Sequence, residues 1–215
     1  MIAHPIFRVT LFPFCKIWLR RAEGMENVPM DKPFIVAANH ASYYDTILIH
    51  SVLVPKLNKK LHAFTNSLYW KFPIMREVLN SGECIPVYVG REKNTEKNKQ
   101  AIQKALGYLN KGGVIEIFPE GTRSPDGKLK KAHTGIAKLA LKAKVPVLPF
   151  GIRGSHKVLP KGKILPHLVR CEVKIGKLLH FDKYYNKKLN NKIYEDITRS
   201  IMKEIAKLIG QEYEY

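Results

Sequence analysis

The sequence predicts a single α/β domain: a mixed, largely parallel β-sheet flanked by helices, entered through an N-terminal apolar and basic membrane-contacting segment. Three observations carry this expectation. Short runs rich in β-branched residues alternate with stretches of helical period, the order that builds parallel sheets. The 215 residues, 45% of them hydrophobic, suffice for one substantial core, and no internal repeat or low-complexity linker divides them. Two of the apolar runs end in segments dense with chemically capable side chains, at the strand ends where α/β sheets place their ligands. The expected division is an interfacial segment over residues 1–23 and a domain over residues 24–215.

Taken in order, the first segment brings together Ile6, Phe7, Val9, Leu11, Phe12, Phe14, Ile17, Trp18 and Leu19. Arg8 and Lys16 interrupt it, Pro5 and Pro13 punctuate it, and Arg20-Arg21 follow. It is shorter than the roughly 20 apolar residues that a spanning helix needs. It also lacks the small-residue cleavage site of a signal peptide. Aromatic bulk mixed with cations suits a segment lying in a membrane interface. The competing reading is a helix packed on the protein's own core.

Beyond it, Pro33 to Ala38 reads as a strand and Thr46 to Val54 as a helix. Cys84 to Val89 and Val114 to Phe118 are strand-like. Between them, Lys93 to Asn110 places Ile102, Ala105, Leu106 and Leu109 on one helical face, and Gly112-Gly113 stops it. Ile136 to Lys144 is helical, Val145 to Ile152 is a Pro-punctuated strand, and Val169 to Ile175 alternates again. From Asn191, a stripe of Ile193, Ile197, Ile201, Ile205 and Leu208 predicts a closing helix.

The balance of 37 Lys+Arg against 18 Asp+Glu gives a formal net charge of +19. Such a surface favours phosphate-rich partners: nucleic acid, anionic lipid, coenzyme A or an acidic carrier protein. The three cysteines, Cys15, Cys84 and Cys171, are odd in number and lack metal-ligand spacing, which argues against a disulfide framework or a structural zinc site.

Two segments carry the chemistry. In Asn39-His40-Ala41-Ser42-Tyr43-Tyr44-Asp45, a strand delivers His40, and a capping-box pattern starts a helix at Tyr43 with Asp45 in its first turn. Asp45 can then accept from one ring nitrogen and leave the other as a base able to deprotonate a hydroxyl. In Phe118-Pro119-Glu120-Gly121-Thr122-Arg123-Ser124, Gly121 admits close backbone approach, and Thr122 and Ser124 add hydroxyl donors. Arg123 offers the planar fork that grips phosphate. Glu120 suits a substrate hydroxyl or an arginine to be held. No Walker or dinucleotide glycine pattern surrounds Gly121, so kinase and dehydrogenase readings have no support.

These residues resemble the 1-acylglycerol-3-phosphate acyltransferases (lysophosphatidic acid acyltransferases) of the His-x4-Asp glycerolipid acyltransferase superfamily. The resemblance runs from Gly24-Met25-Glu26-Asn27-Val28-Pro29 to about Gly154, with four blocks in order. They are His40 to Asp45, the stretch from Gly82 to Arg91, Phe118 to Ser124, and Val145-Pro146-Val147-Leu148-Pro149. The resemblance implies His40 as general base, oriented by Asp45, on the free hydroxyl of lysophosphatidic acid. An acyl-CoA or acyl-ACP thioester would be the donor, phosphatidic acid the product, and no acyl-enzyme would form. Arg91, Glu120, Gly121, Thr122 and Arg123 would hold the acceptor, and Pro146 would shape the acyl pocket. No metal or cofactor is implied. The expected location is the cytoplasmic face of the cell membrane, on an anionic membrane surface.

The chain departs from the family at Asn66, where many members have a lysine, and at Arg76, where glycine is frequent. Lys71 or a backbone amide would then have to polarise the thioester carbonyl. Arg91 also stands farther from its strand than the family's arginine does. Rival readings are acylation of glycerol 3-phosphate or another lysophospholipid by the same residues, a hydrolase using water, and a basic nucleic-acid-binding domain. The last lacks a recognisable module or stacking platform, and no nucleic-acid partner is expected.

Overall fold

Strand β2 (Phe34–Ala38) lies mid-sheet because all five of its residues are apolar and fully buried. The computed structural model describes residues 5–160, 163 and 165–215. Residues 1–4 of the expected interfacial segment lie outside them. Six further strands complete one sheet: β1 (Leu19–Glu23), β3 (Leu61–Asn66), β4 (Ile85–Val87), β5 (Val114–Ile117), β6 (Val147–Arg153) and β7 (Cys171–Ile175). Their spatial order is β1-β7-β6-β2-β5-β3-β4. Every pairing is parallel except β6 with β7. The predicted mixed, largely parallel sheet is thus present.

Period-two alternation along β2 sorts the core into two layers. Phe34, Val36 and Ala38 face one side, and Ile35 and Ala37 the other. On the first side pack α1 (Pro5–Val9), α2 (Leu11–Cys15), α3 (Tyr44–Leu57) and α4 (Pro73–Ser81). On the second pack α5 (Thr95–Asn110) and α6 (Gly135–Ala143), while α7 (Ser155–Val158) caps the end of β6. The second layer is closed by α8 (Asn191–Ile209), through Ile197, Ile201, Met202, Ile205 and Ile209. That helix crosses β6 at Gly151, where a Cβ would stand 2.6 Å from the Cβ of Leu208. Only glycine admits that approach.

Boundaries move where caps decide them. The α5 helix begins at Thr95 rather than Lys93, because the Asn94 side chain accepts from the Lys97 amide at 2.9 Å. β4 is trimmed to three residues around Pro86, a residue confined to sheet edges because it lacks a ladder donor.

The N-terminal residues pack in part on the protein's own core and leave other apolar side chains exposed. Phe12, Cys15 and Trp18 are buried, and the Tyr44 hydroxyl of α3 donates to the Cys15 carbonyl. Ile6, Val9, Phe14 and Ile17 are each more than half exposed. Strand β1, within the predicted 1–23 segment, pairs with β7 as an edge strand. No helix among the described residues is long and apolar enough to cross a membrane.

Candidate active site

Strands β2 and β5 are adjacent and parallel, so their C-terminal ends emerge side by side. The first delivers Asn39 and His40, and the second delivers Phe118 to Arg123. The Asn39 amide pins the exit of β2 to β6, donating to the Ile152 carbonyl at 2.9 Å and accepting from its N–H at 2.8 Å.

His40 is held from four directions. Its Nδ1 lies 3.0 Å from Asp45 Oδ2, and that same oxygen accepts the amides of Ala41 and Ser42, each at 2.7 Å. Asp45 therefore reaches back as the acidic half of a capping box, and α3 starts at Tyr44, one residue later than predicted. The Phe118 ring stacks on the imidazole, with centroids 3.9 Å apart and planes 17° apart. The His40 amide donates to Glu120 Oε1 at 2.8 Å, and its carbonyl accepts from the Ser124 amide at 2.8 Å. Among the described residues, the imidazole hydrogen-bonds only Asp45, which leaves Nε2 as the open nitrogen.

Among the described residues, no serine or cysteine side chain hydrogen-bonds that nitrogen. Ser42 Oγ donates to the Leu159 carbonyl and accepts from the Tyr44 amide, and Ser124 Oγ donates to Asp126. All three cysteines are buried, and burial pushes their thiols up, to about 11 for Cys15 and Cys84 and about 12 for Cys171. A thiol so raised is not a thiolate near neutral pH. No group of three His, Cys, Asp or Glu side chains among the described residues could hold a metal ion.

The Arg123 loop is fastened by its backbone. Glu120 is buried, and its second oxygen accepts the Lys130 amide at 2.9 Å. Burial raises the Glu120 carboxyl above its ordinary range, and the amides of His40 and Lys130 oppose that rise. Gly121 turns at φ +65°, with the His133 ring packed over the place a Cβ would take. Lys130 Nζ donates to the Arg123 carbonyl at 2.8 Å. Three bonds from the residues after α8 complete the loop. Gln211 accepts the Leu129 amide and donates to the Gly127 carbonyl, and the Tyr213 hydroxyl accepts the Ala132 amide. The Arg123 guanidinium itself lies 3.4 Å over the Tyr43 ring, and its buried Nη1 has no hydrogen-bond partner.

His40, Asp45, Glu120, Gly121, Thr122 and Arg123 are thus brought together, with Thr122 exposed at the loop tip. Two predicted residues are not. Pro146 precedes β6, which runs parallel to β2, so it sits at the opposite rim, its carbonyl accepting the Ile35 amide at 3.1 Å. Arg91 is exposed in the turn after β4, at the correct rim but three strands from β2, about 14 Å at the usual strand spacing. Asn66 caps the turn after β3 by accepting the Leu68 amide, and Lys71 is paired with Glu92 at 2.5 Å. Sequence reasoning passed over Phe118 and Tyr43 as actors, although both lie inside the two motif segments, and the Ser124 hydroxyl expected to serve as a donor is spent on Asp126. Lys130, Gln211 and Tyr213 had no local signal at all.

A family model described as Acyltransferase matches residues 20–153, a span that contains both segments. The chain belongs to the acyltransferase family. Among similar proteins, the chloroplastic 1-acyl-sn-glycerol-3-phosphate acyltransferase LPAT1 of Arabidopsis thaliana is 30% identical over 162 residues. That match covers 74% of this chain and 42% of the plant protein. A 1-acyl-sn-glycerol-3-phosphate acyltransferase of Pseudomonas aeruginosa is 26% identical, over 81% of this chain and 68% of its own. The chain therefore spans less than half of the plant relative. The crystal structure of the 1-acyl-sn-glycerophosphate (LPA) acyltransferase PlsC from Thermotoga maritima shares the fold, with a TM-score of 0.69 over 98% of this chain and 79% of that one, at 24% identity.

Proposed function

We propose that the chain transfers a fatty acyl group from a thioester to the free hydroxyl of 1-acylglycerol 3-phosphate, giving phosphatidic acid. The observation that carries this reading is a histidine whose open nitrogen hydrogen-bonds no side chain among the described residues, at one rim with an arginine that has an unpaired buried donor. The proton that His40 Nε2 takes then comes from a substrate hydroxyl. The alkoxide oxygen forms its bond to the thioester carbonyl carbon, and the carbon–sulfur bond breaks. The leaving thiolate recovers the proton from the imidazolium, which Asp45 has stabilised through Nδ1. Arg123 takes the acceptor phosphate through its free fork, with Thr122 and the Gly121 backbone beside it. Glu120 acts on position, tying His40 to the Arg123 loop through two backbone amides. Arg91 adds positive charge at the same rim. The relatives' printed names support the acceptor, and the donor is acyl-CoA or acyl-ACP. The exposed apolar side chains of α1 and α2 suit peripheral contact with the cytoplasmic face of a membrane.

The test is product formation with lysophosphatidic acid, glycerol 3-phosphate and lysophosphatidylcholine, each supplied with either donor. The largest turnover is expected with lysophosphatidic acid. Activity confined to the acceptor lacking a terminal phosphate monoester would refute the reading. The His40→Ala protein is expected to lose turnover by roughly 10²–10⁴-fold or more while its thermal unfolding stays unchanged.

A further inference from the structure

The apolar surface of the molecule does not end with its N-terminal residues. Helix α4 and the turn before it expose Leu68 by 40%, Phe72 by 63%, Ile74 by 84%, Met75 by 42% and Val78 by 41%. Only Leu79 of this helix is buried, against Ala63 and Cys84. Five large apolar side chains turned outward from one short segment exceed the scattered exposure that a soluble surface ordinarily shows.

The placement of this segment is fixed by sheet register. Ala63 of β3 pairs with Glu116 of β5, which pairs with Val36 of β2, and paired residues share a face. Val36 belongs to the core beneath α3, so α4 lies on the same layer as α1, α2 and α3. Within that layer, α2 and the turn after it lie toward β7, where Trp18 Nε1 donates to the His167 carbonyl and the Cys171 thiol meets the Trp18 carbonyl. Helix α4 lies at the other end, over β3 and β4. The two exposed apolar groups therefore flank α3 on one side of the molecule.

The chemistry around α4 is that of a lipid interface. Tyr69 and Trp70 are half-buried with polar tips, and Trp70 Nε1 donates to Asn80 at 2.9 Å. Lys71 and Arg76, with more than half of each side chain exposed and paired with Glu92 and Glu77, border the patch with charged groups, as at the rim of an interfacial segment on a chain of net charge +19. The patch also adjoins the site. Arg123 stands on Tyr43, whose ring meets Tyr69 edge-on at 6.4 Å, one residue from Leu68. A lipid phosphate at Arg123 thus sits beside the apolar surface that its acyl chain would share.

We propose that α4 and the turn before it form a second membrane-docking surface, coplanar with α1 and α2, that seats the protein on an anionic phospholipid bilayer. This rests on the reading of the acceptor as a bilayer lipid. The test is the variant Phe72→Ser/Ile74→Ser, which alters two exposed side chains and leaves every buried contact in place. Binding is measured by co-sedimentation with phosphatidylcholine vesicles containing phosphatidylglycerol. Partitioning is expected to weaken at least tenfold, with thermal unfolding unchanged. Transfer to vesicle-borne long-chain lysophosphatidic acid should fall in parallel, while transfer to a short-chain monomeric acceptor is retained. Vesicle binding by the double variant equal to that of the parent overturns the proposal. So does loss of a concentration-dependent dimer with vesicle binding unchanged, which assigns the patch to a second copy. If the parent transfers no acyl group to any acceptor, the functional reading fails, and the vesicle measurement alone still decides this one.

Discussion

The turn that carries His40 and the loop that carries Arg123 meet at one rim, yet they are finished differently. In the turn, the side chains that fix the base have partners inside the protein: Asn39 on Ile152, Ser42 on Leu159, and Asp45, through Oδ2, on two amides and the imidazole. The buried Asp45 Oδ1 is an acceptor without a partner among the described residues. In the loop, the backbone is equally well fastened, but the functional group is stacked on a ring with a donor left unpaired. On the function proposed above, the difference separates chemistry from recognition. A base must keep one tautomer and one direction through the reaction, whereas a phosphate grip needs donors that the protein has not already used.

Changes at either end should expose that contrast. The largest effect is expected from Asp45→Asn, which keeps the shape of the turn but removes the charge that selects the tautomer. Its kcat should fall by about 10²–10⁴-fold with little change in the KM of either substrate. A loss expressed mainly in the acceptor KM would erase the distinction between turn and loop.

Arg123→Ala should show the opposite split. Hydrogen bonds to a charged group contribute about 1.5–3 kcal/mol, so the acceptor KM should rise by roughly 10–100-fold with kcat less affected. Tyr43→Leu, which removes the stacking surface, should raise the same KM by about 2–5-fold, the scale of an exposed cation–π contact. In an Arg123→Ala background it should add nothing, and an independent, additive effect would show that Tyr43 acts elsewhere.

The smallest effect belongs to Glu120, which joins the two regions. Its folded carboxyl is raised by burial, so the native chain holds that proton to higher pH than the unfolded chain does. The contribution is present at low pH and lost as pH rises through the native value. The stability difference between the parent and Glu120→Gln, from urea unfolding at pH 4 to 7, should therefore shrink as pH rises and then level off. A difference that grows with pH would contradict the assignment.

Much of this architecture could be read locally. β2 announced itself as a continuous apolar run and β5 by its β-branched residues on either side of Glu116, and α5 and α8 because their buried residues recur at helical spacing. β3 was missed because Leu61-His62-Ala63-Phe64-Thr65-Asn66 mixes polar residues into a buried strand, with His62 stacked on Tyr108 of α5 at 3.6 Å. α4 was missed for the reverse reason: its apolar residues point outward, so no core stripe marks it. At the site, the base and its carboxylate lie five residues apart and were legible. Pro146 was assigned to the site by its place in a family block, but strand direction, which a block does not state, carries it to the far rim.

The fastening of the Arg123 loop by Gln211 and Tyr213 spans more than eighty residues of chain. During synthesis, the turn with His40 and the strands beside it are made long before those two residues emerge. The Arg123 loop is therefore the last part of the candidate site to be fastened, and a nascent chain that already holds the His40 turn still lacks a secured loop beside it.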